Sequence, residues 1–142
     1  MPLTAWSAGL DTGDPDIDEQ HRDLFQLHAG ALASARAGDA AATRSALQRL
    51  LEETRRHFAF EEEMMASSGY GPREAHAGDH AAFLRDLGAL VSEAGREASS
   101  PLVRLWLESR CDAWWKYHVR SADAALVAHF ASAVTAPRSS AK

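Results

Sequence analysis

The sequence predicts an all-α protein, an antiparallel up-down four-helix bundle with an N-terminal arm. Four segments of comparable length carry apolar residues three and four positions apart, which is the pattern of an amphipathic helix. Short connections rich in Gly, Pro, Ser and Asp separate these segments, and short loops place consecutive helices antiparallel. No segment alternates between polar and apolar residues as a strand does. We therefore divide the chain into an arm, 1–17, a bundle, 18–134, and a polar tail, 135–142.

The first two helices are defined by residues that suit helix ends. Asp18 can cap the N-terminus of the first helix, and Gly38 ends it. Asp39 is the next candidate cap, and the second helix should run from there to about Ser67.

The last two helices follow proline-containing turns. Pro72 suits the first turn of a third helix that ends near Gly95. Ser100 and Pro101 should start a long fourth helix that ends at about Val134.

Composition narrows the class of protein. The 142 residues suit one domain with a substantial core, and 15 Lys and Arg against 20 Asp and Glu give a net charge of −5. This charge disfavours nucleic acid and anionic membranes as partners. The single cysteine, Cys111, excludes an internal disulfide framework, and neither a signal peptide nor a membrane-spanning apolar stretch is recognisable. We expect a soluble, cytoplasmic protein, and the even polar surface predicts a monomer.

Polar side chains interrupt the apolar stripe of every predicted helix. One histidine on such a stripe is usually a hydrogen-bonded core residue, but five across four helices would need five separate partners. Convergence on one metal centre satisfies all of them together, and pairs at i, i+4 share a helix face. The candidates on the four helices are His21; His57 and Glu61; His76 and His80; and His118 and Asp123.

The pair on the fourth helix fits this pattern less simply. Five residues turn about 140° around a straight α-helix, at about 100° per residue. His118 and Asp123 can therefore reach one site only if they flank the stripe or if a π-bulge adds a residue between them.

The segments "DEQHRDLF", "HFAFEE", "GYGPREAHAGDH" and "WWKYHVRSAD" resemble bacterial hemerythrins. The resemblance spans about residues 5–130 and includes Trp6. It implies a four-helix bundle that holds two iron ions joined by an oxo or hydroxo group. It further implies that one iron is bound by His76, His80 and His118. A second iron, which has an open position, is then bound by His21 and His57, and Glu61 and Asp123 bridge the two ions.

The donor types agree with iron, although manganese and zinc remain open. Imidazole and carboxylate together suit all three metals, while seven donors exceed what one tetrahedral zinc uses. A ferritin-like di-iron enzyme would require Glu-x-x-His motifs, which the chain lacks; the separation of Glu53 and His57 is one residue too long. Five neutral imidazoles favour reversible O2 binding over substrate oxidation, so we expect no enzyme.

Two other functions stay open at this point. The protein could be a sensor of O2, NO or redox state that acts through a protein partner. It could also be an oxidase or peroxidase at the open iron. For either, the ligand would be O2 or another small diatomic or anionic molecule.

The resemblance also implies an apolar ligand pocket, lined by Leu24, Phe25, Phe58, Trp115 and Val119. Trp115 stands where the family commonly has leucine, so its indole either narrows the pocket or packs between helices away from iron.

Two further residues carry expectations from their position on a helix. His28 lies two turns after His21; we expect it to bond a backbone carbonyl, or alternatively to titrate near the metal centre. Glu62 follows Glu61 but turns away from the stripe, which predicts a solvated side chain.

Overall fold

The structure, a computed structural model, describes residues 8–135. Trp6 and the tail from residue 136 onward lie outside the described residues. A short 3-10 turn, Ala8–Leu10, precedes four long helices, and within residues 8–135 there is no strand. The predicted four-helix bundle is thereby confirmed. Its helices are α1, Pro15–Ala37; α2, Ala40–Ser68; α3, Arg73–Arg96; and α4, residues 101–135.

Helix α1 begins earlier than the sequence predicts. The N-cap is Asp14, whose carboxylate accepts hydrogen bonds from the backbone of Asp16 and Ile17, and Pro15 occupies the first turn. The prediction that Asp18 caps this helix is wrong. Asp18 is buried inside the first turn, where its carboxylate accepts hydrogen bonds from Thr12 and from the backbone of the preceding loop.

The junction between α1 and α2 matches the sequence prediction. Gly38 ends α1 with φ 74°, a left-handed conformation that glycine adopts without strain. Asp39 then caps α2 by accepting a hydrogen bond from the backbone of Ala42. This tight turn makes α1 and α2 antiparallel neighbours.

Helix α4 is continuous but not uniformly α-helical. Two wide π-type turns, Trp106–Cys111 and Val119–Asp123, interrupt the α-helical hydrogen bonding. They separate the α-helical segments Pro101–Leu105, Asp112–His118 and Ala124–Thr135. The second wide turn begins directly after His118 and ends at Asp123, so the π-bulge considered from the sequence is present.

The apolar stripes of the helices meet in one main core. Each helix contributes at least one leucine to this core that is at most 2 % exposed. Examples, from α1 to α4 in order, are Leu24, Leu47, Leu87 and Leu107. Among the described residues, no helix has an apolar stretch long enough to cross a membrane.

Candidate metal centre

The seven polar residues on the helix stripes lie in one buried cluster, where each is at most 4 % exposed. Every helix of the bundle contributes at least one of them. The residues are His21 from α1, His57 and Glu61 from α2, His76 and His80 from α3, and His118 and Asp123 from α4.

Two carboxylates occupy the middle of this cluster, and each faces imidazoles from three helices. The Glu61 oxygens lie 2.9 Å from His57 Nε2, 3.1 Å from His80 Nε2, 3.3 Å from His76 Nε2 and 3.7 Å from His21 Nε2. The Asp123 oxygens lie 3.0 Å from His21 Nε2 and 3.1 Å from the Nε2 atoms of both His76 and His118.

The wide turn in α4 explains why His118 and Asp123 reach the same place. A π-type turn closes a hydrogen bond between residues five apart, so side chains at i and i+5 come to the same helix face. The contact between His118 Nε2 and Asp123 Oδ1, at 3.1 Å, spans this turn.

The donor atoms form two groups that share the two carboxylates. One group contains Glu61 and Asp123 with His76, His80 and His118; the other contains the same carboxylates with His21 and His57. Within each group the donor atoms lie within 4.8 Å of one another. The first group offers five donors and the second offers four.

The hydrogen bonding of these buried atoms fits a cation better than a salt-bridge network. Both Glu61 oxygens, both Asp123 oxygens and the Nε2 atoms of His57, His80 and His118 make no well-aligned hydrogen bond among the described residues, although these Nε2 atoms lie 2.9–3.1 Å from a carboxylate oxygen. Buried polar atoms without partners are costly, and lone pairs that converge without donating hydrogens are what a metal ion satisfies. The residues present therefore fit a metal site.

The charges of these side chains show why the cluster attracts a cation. Although burial opposes protonation, the nearby Asp123 and Glu61 carboxylates raise the pKa of His21 and of His76 to about 9. Burial likewise opposes ionisation of Glu61 and Asp123, yet the surrounding histidines hold both carboxyl pKa values well below their ordinary range. The carboxylates thus stay negative and draw positive charge into the bundle.

Comparison with known proteins identifies the family. The sequence model of the hemerythrin HHE cation binding domain matches residues 12–131. The chain belongs to the hemerythrin family.

Curated hemerythrins match over most of their length. A bacteriohemerythrin of Stenotrophomonas maltophilia is 29 % identical over 88 % of this chain and 80 % of its own. A bacteriohemerythrin of Pseudomonas paraeruginosa is 31 % identical over 89 % of this chain and 81 % of its own. A myohemerythrin of Sipunculus nudus is 32 % identical over 75 % of this chain and 77 % of its own. The buried cluster accordingly fits a metal site, typically an iron site, in a hemerythrin domain.

A solved structure described as a leucine-to-phenylalanine mutant has the same fold. It superimposes with a TM-score of 0.82, covering 92 % of this chain and 98 % of the other, at 21 % sequence identity. At this identity the likeness concerns the fold alone.

Two hydrogen bonds hold histidines of the hemerythrin cluster from outside. His57 Nδ1 lies 2.6 Å from the amide oxygen of Gln20, and His80 Nδ1 lies 2.9 Å from a carboxylate oxygen of Glu62. In both histidines Nε2 faces the cluster, so Nδ1–H is the donor to the outer partner.

The sequence pattern does not identify these two outer partners. Glu62 is solvated as predicted, with its side chain 44 % exposed, but its carboxylate also accepts a hydrogen bond from His80, which the sequence does not indicate. Glu62 follows Glu61 directly, and Gln20 precedes His21 directly; both lie beside the stripe. Only the distance across to the neighbouring helix shows that their long side chains reach an imidazole.

The proposed pocket residues are all buried beside the cluster. Leu24, Phe25, Phe58, Trp115 and Val119 are each at most 2 % exposed and belong to the main core.

Trp115 lies against the cluster. Its ring centre is 6.1 Å from that of His21, 6.2 Å from that of His57 and 5.9 Å from that of Phe58. Its N–H has no acceptor at ordinary distance and angle among the described residues and interacts only weakly with the Cys111 thiol. Of the two positions considered for Trp115, the structure has the inward one.

Of the two alternatives predicted for His28, the structure has the hydrogen bond to a backbone carbonyl. It is fully buried, and its Nε2 donates a hydrogen bond to the backbone oxygen of Leu107, at 2.8 Å. Leu107 lies in the first wide turn of α4, so this hydrogen bond joins α1 to that turn.

Proposed function

We propose that this chain holds two iron ions at the buried cluster and binds O2 reversibly at one of them. The observation that carries the proposal is the pair of donor groups that share Glu61 and Asp123. Two shared carboxylates suit two adjacent cations, and the unequal donor numbers leave the ion at His21 and His57 with a vacant position. When bound, two Fe2+ ions would supply the electrons that are transferred to O2 as it binds.

The residues of the chain then have distinct tasks. His76, His80 and His118 would hold one ion, and His21 and His57 would hold the other. Glu61 and Asp123 would neutralise part of the charge of both ions and be shared between them. The proposed cofactor would also include an oxo or hydroxo group.

The buried side chains of the predicted ligand pocket would keep water from the open coordination position of the second ion. Phe25, Phe58 and Trp115 offer no ionisable group there, so bound ligand meets few proton donors, which favours release of the ligand over reduction. Five imidazoles and two carboxylates place little negative charge around the ions, and this supports binding rather than enzymatic oxidation. The monomeric state and the cytoplasmic location stay predictions.

The test compares two histidine variants of the iron-loaded protein. His57→Ala removes a donor of the ion with the vacant position, whereas His129→Ala removes a half-buried imidazole that bonds the backbone of Ser68. We expect about two irons per chain in the unmodified protein and in His129→Ala, with a new absorption band on exposure to O2 that disappears under argon. His57→Ala should lack that band.

Three results would refute the proposal. One is a single metal ion per chain with His76 and His80 free of metal. Another is an O2-dependent band that persists unchanged in His57→Ala. The third is steady catalytic consumption of O2 in place of stoichiometric, reversible uptake.

A further inference from the structure

In each donor group, one histidine donates a hydrogen bond to an acceptor outside the cluster, and the two acceptors differ in charge. His80, in the group of five donors, bonds a carboxylate, Glu62. His57, in the group of four donors, bonds a neutral amide, Gln20. Both imidazoles point Nε2 toward Glu61, so the two hydrogen bonds occupy equivalent positions.

The acceptor of such a hydrogen bond controls the imidazole as a ligand. A carboxylate that accepts from Nδ1–H draws the proton toward itself, which raises the electron density at Nε2. A ligand richer in electrons stabilises the higher oxidation state of its metal. A neutral amide oxygen orients the ring but has a much weaker effect on its basicity.

We infer that Glu62 is a positioning residue that makes the two metal positions electronically unequal, stabilising the oxidised state at His80 more than at His57. The inference rests on the proposed two-iron function. The geometry supports a local effect, because the Glu62 side chain is 44 % exposed and water screens its charge beyond the hydrogen bond. The hydrogen bond at 2.9 Å therefore carries most of its influence.

Three variants separate this local effect from the overall charge. Glu62→Gln keeps the size and the acceptor oxygen but removes the negative charge. Glu63→Gln removes the same charge from the next residue, which is exposed. Gln20→Glu introduces a carboxylate at the equivalent hydrogen bond to His57.

The measurement is the reduction potential of the iron-loaded proteins, followed spectroscopically, together with iron affinity against a competing chelator. For Glu62→Gln we expect iron affinity to fall by about tenfold or more, the range for partners of metal ligands. Its oxidised-to-reduced ratio at a fixed potential should fall about tenfold, which is about 59 mV for a one-electron couple. Gln20→Glu should shift the potential in the opposite direction, and Glu63→Gln should match the unmodified protein.

The outcomes distinguish this inference from the proposed function. If the unmodified protein lacks two irons or reversible O2 binding, the proposed function fails. If it has both and Glu62→Gln matches Glu63→Gln, only the inference is overturned. Should Glu62→Gln not retain its iron, Gln20→Glu decides: an unchanged potential in that variant overturns the inference, and a lowered one supports it.

Discussion

Replacing Trp115 by leucine tests whether the indole controls access to the open metal position of the proposed two-iron centre. The side chain is completely buried, with its ring 6.1 Å from that of His21 and 6.2 Å from that of His57. Because the indole is fully buried beside these two histidines, we expect a molecule larger than O2 that reaches them to displace contacts of the indole. We therefore expect Trp115→Leu to admit azide faster and to lose its O2-bound form to oxidation faster.

The stability cost of this substitution should be small because two terms oppose each other. Exchanging a buried indole for leucine removes apolar contacts, and this loss should lower the free energy of unfolding by roughly 2 kcal/mol. The indole N–H lacks an ordinary acceptor, and removing such a buried donor returns about 1–3 kcal/mol. The free energy of unfolding should therefore change by no more than about 1 kcal/mol in either direction, which corresponds to a shift in melting temperature of at most about 2–4 °C.

The substitution should change the barrier to azide entry by more than it changes the free energy of unfolding. A barrier lowered by about 1.4 kcal/mol speeds entry about tenfold, which stopped-flow mixing of azide with the oxidised protein resolves easily. Trp106→Leu is the matched control, since this half-buried tryptophan lies on the same helix and contacts Phe83, with ring centres 5.7 Å apart. Azide binding and autoxidation rates equal to those of Trp106→Leu would refute the gating argument and leave Trp115 as a packing residue.

Three further expectations concern metal and protons. Removing the metal should lower the melting temperature substantially, because Glu61 and Asp123 then lack a buried counter-charge other than imidazolium; equal melting temperatures of the two forms would contradict this. In the metal-free chain the pKa values of His21 and His76 rise from 6.5 to about 9, so their contribution to stability is complete below pH 6.5 and is lost as the pH rises through about 9. Thermal melts across that range should show the loss, and a flat profile would contradict it. Metal binding at neutral pH should release about one proton from each of these two histidines, measured by calorimetry in buffers of different ionisation enthalpy; heat that does not depend on the buffer would argue against it.

The sequence predicts the bundle well because its signals are local. Apolar spacing defines each helix, and Gly38 with Asp39 marks a turn that the backbone adopts. The convergence of seven polar residues follows from the same spacing, since a side chain on the buried stripe of a helix must face the other three helices.

The start of α1 shows where local signals compete. Both Asp14 and Asp18 precede apolar residues and can cap a helix. Asp14 is the cap because Pro15 fits only the first turn, and Asp18 then lies one turn inside, where it accepts hydrogen bonds from Thr12. The proline after Asp14 is the signal that favours the earlier start.

Other features depend on contacts between helices that no local pattern encodes. The wide turn at Trp106–Cys111 includes Leu107, whose carbonyl accepts from His28 of another helix. The role of Glu62 likewise depends on how far α2 lies from His80. Such tertiary partners change helical hydrogen bonding and side-chain roles without altering the apolar period.

The wide turn between His118 and Asp123 bears on how related chains should be aligned. Side chains four residues apart share a face of an α-helix, and side chains five residues apart share a face across a π-type turn. A related chain with one residue fewer between His118 and Asp123 can therefore form a regular α-helix there and keep both side chains in the cluster. When such a chain is aligned with this one, the gap belongs between His118 and Asp123, because a gap on either side would misalign one of these two cluster residues.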